Sequence, residues 1–324
     1  MRDGFGREID YMRLSVTDQC NLRCRYCMPG GGASLPDHDQ VLDDGEIIRL
    51  CGIFVSLGIH KIKITGGEPL VRNGVVELVE RLKKMPGLKS VTMTTNGLLL
   101  ADSLDRFIKM GLDGVNIHLD TLDRETYRTL TGMDGLSRAM DGLSRVAAGG
   151  IPVKVNCVPI RGVNDGDLAM MADLARDRIQ AVRFIELMPI GQGSREEGIP
   201  IAEVKRNIVE AYGPLMPWPG TLGNGPASYC QVDGFRGKIG FIQAVSHGFC
   251  EACNRVRLTA DGYLKLCLDW DLGIDLKAML RTGASDSEIT EAALHALEKK
   301  PGRHGFNSTG AADRNSRDMH RIGG

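Results

Sequence analysis

The sequence predicts an α/β protein: an incomplete (β/α)6 TIM-like barrel over residues 1–190, followed by a small antiparallel and helical extension over 191–324. Three observations predict it. Short β-rich runs alternate with helical patterns six times, the signature of parallel strands joined by crossovers. The strand runs alternate polar and apolar residues. Past residue 190 the composition shifts to glycine and proline, as in "GQGSREEGIP" and "YGPLMPWPGTLGNGPASY". The length of 324 residues suits one barrel with a small appendage.

In chain order, "YMRLSVT" (11–17) reads as the first strand, and "DGEIIRLCGIFVSLG" (44–58) as the helix that returns the chain to "KIKIT" (61–65). "GVVELVERLKKM" (74–85) leads to "VTMTT" (91–95), and "LADSLDRFIKMG" (100–111) to "GVNIHLD" (114–120). "VKVNCV" (153–158) and "VRFIELM" (182–188) complete the six, short of the eight of a closed barrel. Beyond them come a short helix at 201–211, a strand in "GKIGFIQAV", a hairpin in "RVRLTADGYLKLCL" turning at Asp261-Gly262, and a last helix near 285–299. The polar stretch from 302 onward reads as a loose end.

Successive strand side chains point to opposite faces. Met12, Leu14 and Val16 therefore share one face and Arg13, Ser15 and Thr17 the other, and the same split runs through the later strands. A parallel sheet with both faces under helices should be hydrophobic throughout, and this one is not. The polar set places Arg13, Lys61, Lys63, Lys154 and Arg183 in one interior, where their mutual repulsion calls for a polyanionic ligand.

The balance of 40 basic and 41 acidic residues gives no global argument for nucleic acid or an anionic membrane. No apolar run approaches a membrane span, and the first residues lack the apolar stretch of a signal peptide, so a cytoplasmic protein is expected. There nine cysteines are poor candidates for disulfides.

Six of the nine fall into two groups. Cys20, Cys24 and Cys27 form C-x3-C-x2-C, and Cys250, Cys253 and Cys267 form C-x2-C-x13-C, the last placed in the second strand of the hairpin. Structural zinc takes four protein ligands, so an isolated trio suits it poorly. Thiolates also ligate iron–sulfur clusters, and a cubane on three of them leaves one iron open to a reactant. Cys230 could complete a zinc site with the second group. Cys51 and Cys157 lie among apolar residues and read as core packing.

The C-x3-C-x2-C motif with Tyr26 inside it, followed by "TGGEP" (65–69), resembles the radical S-adenosylmethionine (SAM) superfamily. Further stretches resemble its GTP 3',8-cyclase family: "RLSVTDQCNLRCRYCMP", "KITGGEPLVR", "TTNG", "VKVN", "VRFIELMP", "CNRVRLTADGYLKLCL" and a terminal "RIGG". The resemblance implies two 4Fe–4S clusters, one on each cysteine trio, with SAM bound at the first and GTP at the second. It implies conversion of GTP to (8S)-3',8-cyclo-7,8-dihydroguanosine 5'-triphosphate, the first step of molybdenum cofactor biosynthesis. It further implies SAM contacts at Tyr26, Gly67, His118 and Met188. GTP contacts are implied at Arg13, Lys63, Thr94, Lys154, Arg255 and Arg257, with Lys61 and Arg183 nearby. No side chain is expected to act as acid or base. A cyclic pyranopterin monophosphate synthase would take up the product, a flavodoxin or ferredoxin would supply electrons, and a homodimer is compatible with it.

The sequence departs from the family pattern at His118, where serine is usual, at Lys63, where arginine is common, and in a short loop after Cys27. Gly323 and Gly324 match a family tail that reaches the active site, where only glycine is slim enough. The "GGG" at 30–32 lacks the helix start a phosphate loop needs. Two other readings stand beside this one: another twin-cluster radical SAM enzyme acting on a peptide or cofactor precursor, and a non-catalytic iron–sulfur or zinc-binding protein.

Overall fold

The structure, a computed structural model, describes residues 1–28, 40–306, 315 and 317–323. Strands β1 (Tyr11–Ser15), β2 (Lys61–Thr65), β3 (Ser90–Thr95), β4 (Val115–His118), β5 (Val153–Cys157) and β6 (Ala181–Ile185) are the six expected from the sequence. Six more follow: β7 (Met216–Trp218), β8 (Ser228–Gln231), β9 (Lys238–Ile242), β10 (Arg255–Leu258), β11 (Tyr263–Lys265) and β12 (Gly273–Asp275). The chain divides into two compact units, one of residues 1–21, 31–93 and 248–324, the other of 22–30 and 94–247.

In the first unit the strand order is β12-β11-β10-β1-β2-β3. Strands β10, β1, β2 and β3 run parallel, and β11 and β12 continue antiparallel. In the second unit the order is β4-β5-β6-β9-β8-β7, with β4, β5, β6 and β9 parallel and β8 and β7 antiparallel. The α/β class and its parallel strands are those the sequence predicts. The extension holds the expected antiparallel hairpin of β10 and β11, and its strands β9 and β10 also join β6 and β1 as parallel neighbours, because an unpaired strand edge is itself a template for another strand. Cys267 is also displaced from its expected place, lying two residues beyond the end of β11.

The helices carry readable signals. Asp43 and Glu46 form a capping box at the start of helix Asp44–Ser56, and Ser285 and Glu288 do the same for Asp286–Glu298. Val75, Leu78, Val79 and Leu82 make a buried stripe on helix Val75–Lys83 at spacings of three and four. The apolar strand residues Met12, Leu14, Ile62, Ile64, Val155 and Val182 are wholly buried. Their polar neighbours are buried as well: Lys63, Asn116, Lys154, Asn156, Arg183 and Arg257 all lie below one-tenth exposure.

Candidate active site

In the first unit, β1 runs into the turn that carries Cys20. The Gly67 N–H donates to the Thr17 carbonyl at 2.8 Å and the Glu68 N–H to the Gln19 carbonyl at 2.8 Å. A Cβ on Gly67 would stand 2.3 Å from the Gln19 carbonyl oxygen, and one on Gly66 2.6 Å from that of Thr17. The two glycines of "TGGEP" thus let one backbone press on another, and this fixes the segment that delivers Cys20. In the second unit Cys24 and Cys27 close a tight turn, the Cys27 N–H donating to the Cys24 carbonyl at 2.9 Å. All three cysteines are half-buried.

The cations of the first unit fall in register. Arg13 on β1 stands opposite Arg257 on β10 and Lys63 on β2, so the three form one row on one face. Burial, then the charges of Arg13 and Arg255, disfavour the charged guanidinium of Arg257. One row back, Tyr11 is flanked by Arg255 and Lys61. Lys61 is neutralised by Asp10 at 2.7 Å, so it adds less to the interior charge than strand alternation implies. The Arg255 guanidinium lies over the rings of Phe249 and Tyr11, at 5.1 and 6.0 Å.

The C-terminal segment docks on this row. Arg257 Nη1 donates to the carbonyls of Gly323 at 2.6 Å and Ile322 at 3.2 Å, and Arg13 Nε donates to that of Gly323 at 3.2 Å. Gly323 adopts φ of +68°, and a Cβ there would lie 2.6 Å from Thr65 Oγ1. Ile322 and His320 are buried, and Arg317 pairs with Asp261 at 3.0 Å, so residues 317–323 are packed rather than loose. Gly324 and residues 29–39, which include the stretch after Cys27 and the "GGG" at 30–32, lie outside the described residues.

In the second unit the Tyr26 hydroxyl donates to Asp120 Oδ2 at 2.5 Å and meets His118 Nε2, which itself stands 3.0 Å from Asp120 Oδ2. Asp120 Oδ1 accepts from the Val158 N–H at 2.7 Å. Burial works to lower the His118 pKa, but the charge and hydrogen bond of Asp120 outweigh it and the net shift is upward. Burial, then Asp120 and Cys24, push the Tyr26 phenol up and keep it a donor. His118 therefore does more than replace a serine, since it belongs to a three-member network on the cysteine turn.

Also in this unit, Asn156 on β5 stands between His118 on β4 and Arg183 on β6. Arg183 donates through Nε and Nη2 to Asn156 Oδ1 at 2.9 and 2.6 Å. Burial and then the Arg183 charge depress the Lys154 ammonium to about 8. The glycine-rich loop before β8 comes down on both cations. A Cβ on Gly223 would be 3.6 Å from Lys154 Nζ and one on Gly225 3.9 Å from Arg183 Nη1. Thr94 accepts from Asn116 Nδ2 at 3.3 Å, and the Met188 carbonyl accepts from the Ile190 N–H at 2.8 Å.

The second cysteine trio lies wholly in the first unit. Cys250 opens a 3-10 turn in which the Cys253 N–H returns to its carbonyl at 3.1 Å. Burial raises the Cys250 thiol, and the nearby charges of Cys267 and Cys253 raise it further, so the three sulfurs are close enough to feel one another. Cys253 is lowered: burial pushes it up, but Lys300, Arg255 and Arg7 outweigh burial. Such an electropositive surround favours thiolates. Among the described residues no three His, Cys, Asp or Glu side chains converge as ligands of one ion do. Thiolates on a cubane each bind a different iron and need no common point, so three grouped sulfurs among cations fit a 4Fe–4S cluster.

Sequence reasoning missed three residues of this architecture. Asp120 could have been found, lying two positions beyond His118, the last residue of β4. Arg7 and Lys300 reach the second trio from distant segments and carry no local signal.

Residues 14–175 match the Radical SAM superfamily and residues 180–306 match Molybdenum Cofactor Synthesis C. The chain is 39% identical to a GTP 3',8-cyclase of Clostridium perfringens, 44% to one of Moorella thermoacetica and 45% to one of Heliobacterium modesticaldum, each alignment covering 100% of both chains. Among solved structures it resembles Streptococcus suis SuiB bound to its precursor peptide SuiA, with a TM-score of 0.64 and 13% identity, covering 95% of this chain and 68% of that one. That likeness speaks to the fold alone.

Proposed function

Because the chain belongs to the GTP 3',8-cyclases of the radical SAM superfamily, we propose that Cys20, Cys24 and Cys27 hold the 4Fe–4S cluster that binds SAM, and that Cys250, Cys253 and Cys267 hold the one that receives GTP. The reaction is conversion of GTP to the 3',8-cyclised nucleotide, the first step of molybdenum cofactor biosynthesis. When bound, the clusters and SAM would supply the radical chemistry that replaces the ribose C3'–H bond by a C3'–C8 bond, with one electron and one proton returned to the base. The chain's own contribution is placement, which can be worth several kcal/mol of the barrier without any acid or base.

The observation that carries the substrate assignment is the row Arg257, Arg13 and Lys63, three cations at one register on a buried face. A triphosphate relieves that repulsion. Arg255, Lys154, Arg183 and Thr94 are assigned to the same nucleotide, Lys61 to its periphery beside Asp10, and Gly323 with Gly324 to a tail at the site. Tyr26, Gly67, His118 and Met188 are assigned to SAM, with Asp120 orienting Tyr26 and His118. The functional division stays at residue 190, the SAM-binding core before it and the second cluster after it. The electron donor is a flavodoxin or ferredoxin, the product passes to a cyclic pyranopterin monophosphate synthase, and the enzyme works in the cytoplasm. Among the described residues no helix is long and apolar enough to cross a membrane. A peptide-modifying or non-catalytic reading loses to cyclase similarity that runs the length of the chain.

Anaerobic reconstitution with iron and sulfide, then addition of SAM, GTP and dithionite, should yield deoxyadenosine together with a cyclised nucleotide by mass spectrometry. SAM cleavage with GTP untouched, in protein carrying both clusters, would overturn the substrate assignment. The depressed Lys154 gives a pH test. With its ammonium titrating near 8, GTP affinity should fall as pH rises through that value, because only the protonated form attracts phosphate. Lys154→Arg should flatten the profile between about pH 7 and 9, since guanidinium stays charged throughout. An unchanged profile in that variant rules out Lys154 as its source.

A further inference from the structure

The second cysteine trio is framed by a segment to which the reaction assigns no role. Residues 300–305 are stitched to the chain on which those cysteines sit. Lys300, 2% exposed, donates through Nζ to the carbonyl of Leu266, the residue before Cys267. Arg7 donates through Nη1 to the carbonyl of Cys250 at 2.7 Å and of Gly302 at 3.2 Å, and through Nη2 to that of Pro301 at 2.8 Å. Its Nε is held by Asp3 at 2.6 Å. The His304 N–H points at Cys250 Sγ from 3.4 Å. Trp270 Nε1 donates to the Arg303 carbonyl at 2.8 Å and the Gly305 N–H to Asp269 at 2.6 Å.

The two cations differ in their partners. Arg7 has a carboxylate, whereas the hydrogen bond of Lys300 goes to a backbone carbonyl. Burying an ammonium against a neutral partner is expensive unless an anion lies near. The Lys300 ammonium is pinned to the backbone immediately before Cys267, which places it beside the cysteine trio. A 4Fe–4S core on three thiolates is anionic and becomes more so on reduction, and its potential follows the charges and N–H···S bonds around it.

We propose that Lys300 and Arg7 are positioning residues of the second cluster. Arg7 fixes the Cys250 segment against residues 301–302, and Lys300 fixes the Cys267 segment while supplying the positive charge that favours the reduced cluster. This rests on the assignment of Cys250, Cys253 and Cys267 to a cluster.

The test uses the full-length reconstituted protein, with the first cluster as internal reference. Iron and sulfide per chain, the electron paramagnetic resonance signals and a redox titration are the readouts. Lys300→Met should shift the second cluster's midpoint potential to more negative values and leave the first unchanged, and Lys300→Arg should restore most of the shift. Full iron content with both potentials unmoved overturns the proposal. Should Lys300→Met not fold, Arg7→Met is decisive: iron falling from about eight to about four per chain, with the first cluster's signal intact, supports the frame. Full retention, or equal loss from both clusters, overturns it. Cys253→Ala separates the two levels, because if that variant still holds two clusters the ligand assignment itself fails, whatever Lys300 does.

Discussion

Cys250→Ala should reduce GTP cyclisation by more than about a thousandfold while the first cluster and its reductive cleavage of SAM persist. The reasoning starts from the sulfur. Cys250 is half-buried; burial raises its thiol pKa and the nearby Cys267 and Cys253 add to the rise, so it sits in a group of three thiols. Its backbone does separate work: the carbonyl accepts from Arg7 and from the Cys253 N–H. Alanine keeps those bonds. The fold should therefore lose no more than about 1 kcal/mol, the usual scale for a substitution that makes no large cavity. The cluster loses one of three anchors. Iron analysis should fall to about half the wild-type value, and deoxyadenosine should still form with dithionite. Retained GTP turnover in that variant would remove the second cluster from the reaction.

The sequence showed the parallel strands because their information is local. "KIKIT" and "VKVNCV" alternate at a period of two, and β2 (Lys61–Thr65) and β5 (Val153–Cys157) lie where that pattern puts them. It also placed Arg13 and Lys63 on one face, which the register of β1 and β2 bears out. Three things were not legible, for a shared reason. That β10 would join β1 depends on which strand edge lies unpaired, a tertiary fact absent from "RVRLTADGYLKLCL". Lys61 has the same alternation as Lys63, and only the nearness of Asp10, 51 residues away, sets it apart. Arg7 and Lys300 are single cations in unremarkable segments, and their meaning comes from carbonyls up to 295 residues distant. Gly67 was legible as a motif but not as physics. Its contact with the Gln19 carbonyl explains why the turn needs glycine before any ligand is considered.

Arg257→Ala should lower kcat/KM for GTP by roughly a hundred- to a thousandfold, about 3–4 kcal/mol, with SAM affinity within about twofold of wild type. Arg257 is 7% exposed, beside Arg13, and its charge is disfavoured first by burial and then by Arg13 and Arg255. A guanidinium does not discharge by losing its proton, so the strain must be met by acceptors. The carbonyls of Ile322 and Gly323 are two such acceptors. Neutral carbonyls are weaker partners than phosphate oxygens by about a factor of two, which leaves a net driving force for a polyanion. Alanine removes both the donor and the repulsion, so substrate affinity should collapse while apo-protein stability changes by no more than about 1 kcal/mol in either direction. Arg257→Lys should recover only part of the loss, because a point charge cannot repeat the paired N–H geometry. Isothermal titration with GTP and with SAM separately, beside a thermal melt, reads all three quantities. Equal weakening of both ligands, or a melt lowered by many degrees, would recast Arg257 as an anchor for the tail rather than a phosphate contact.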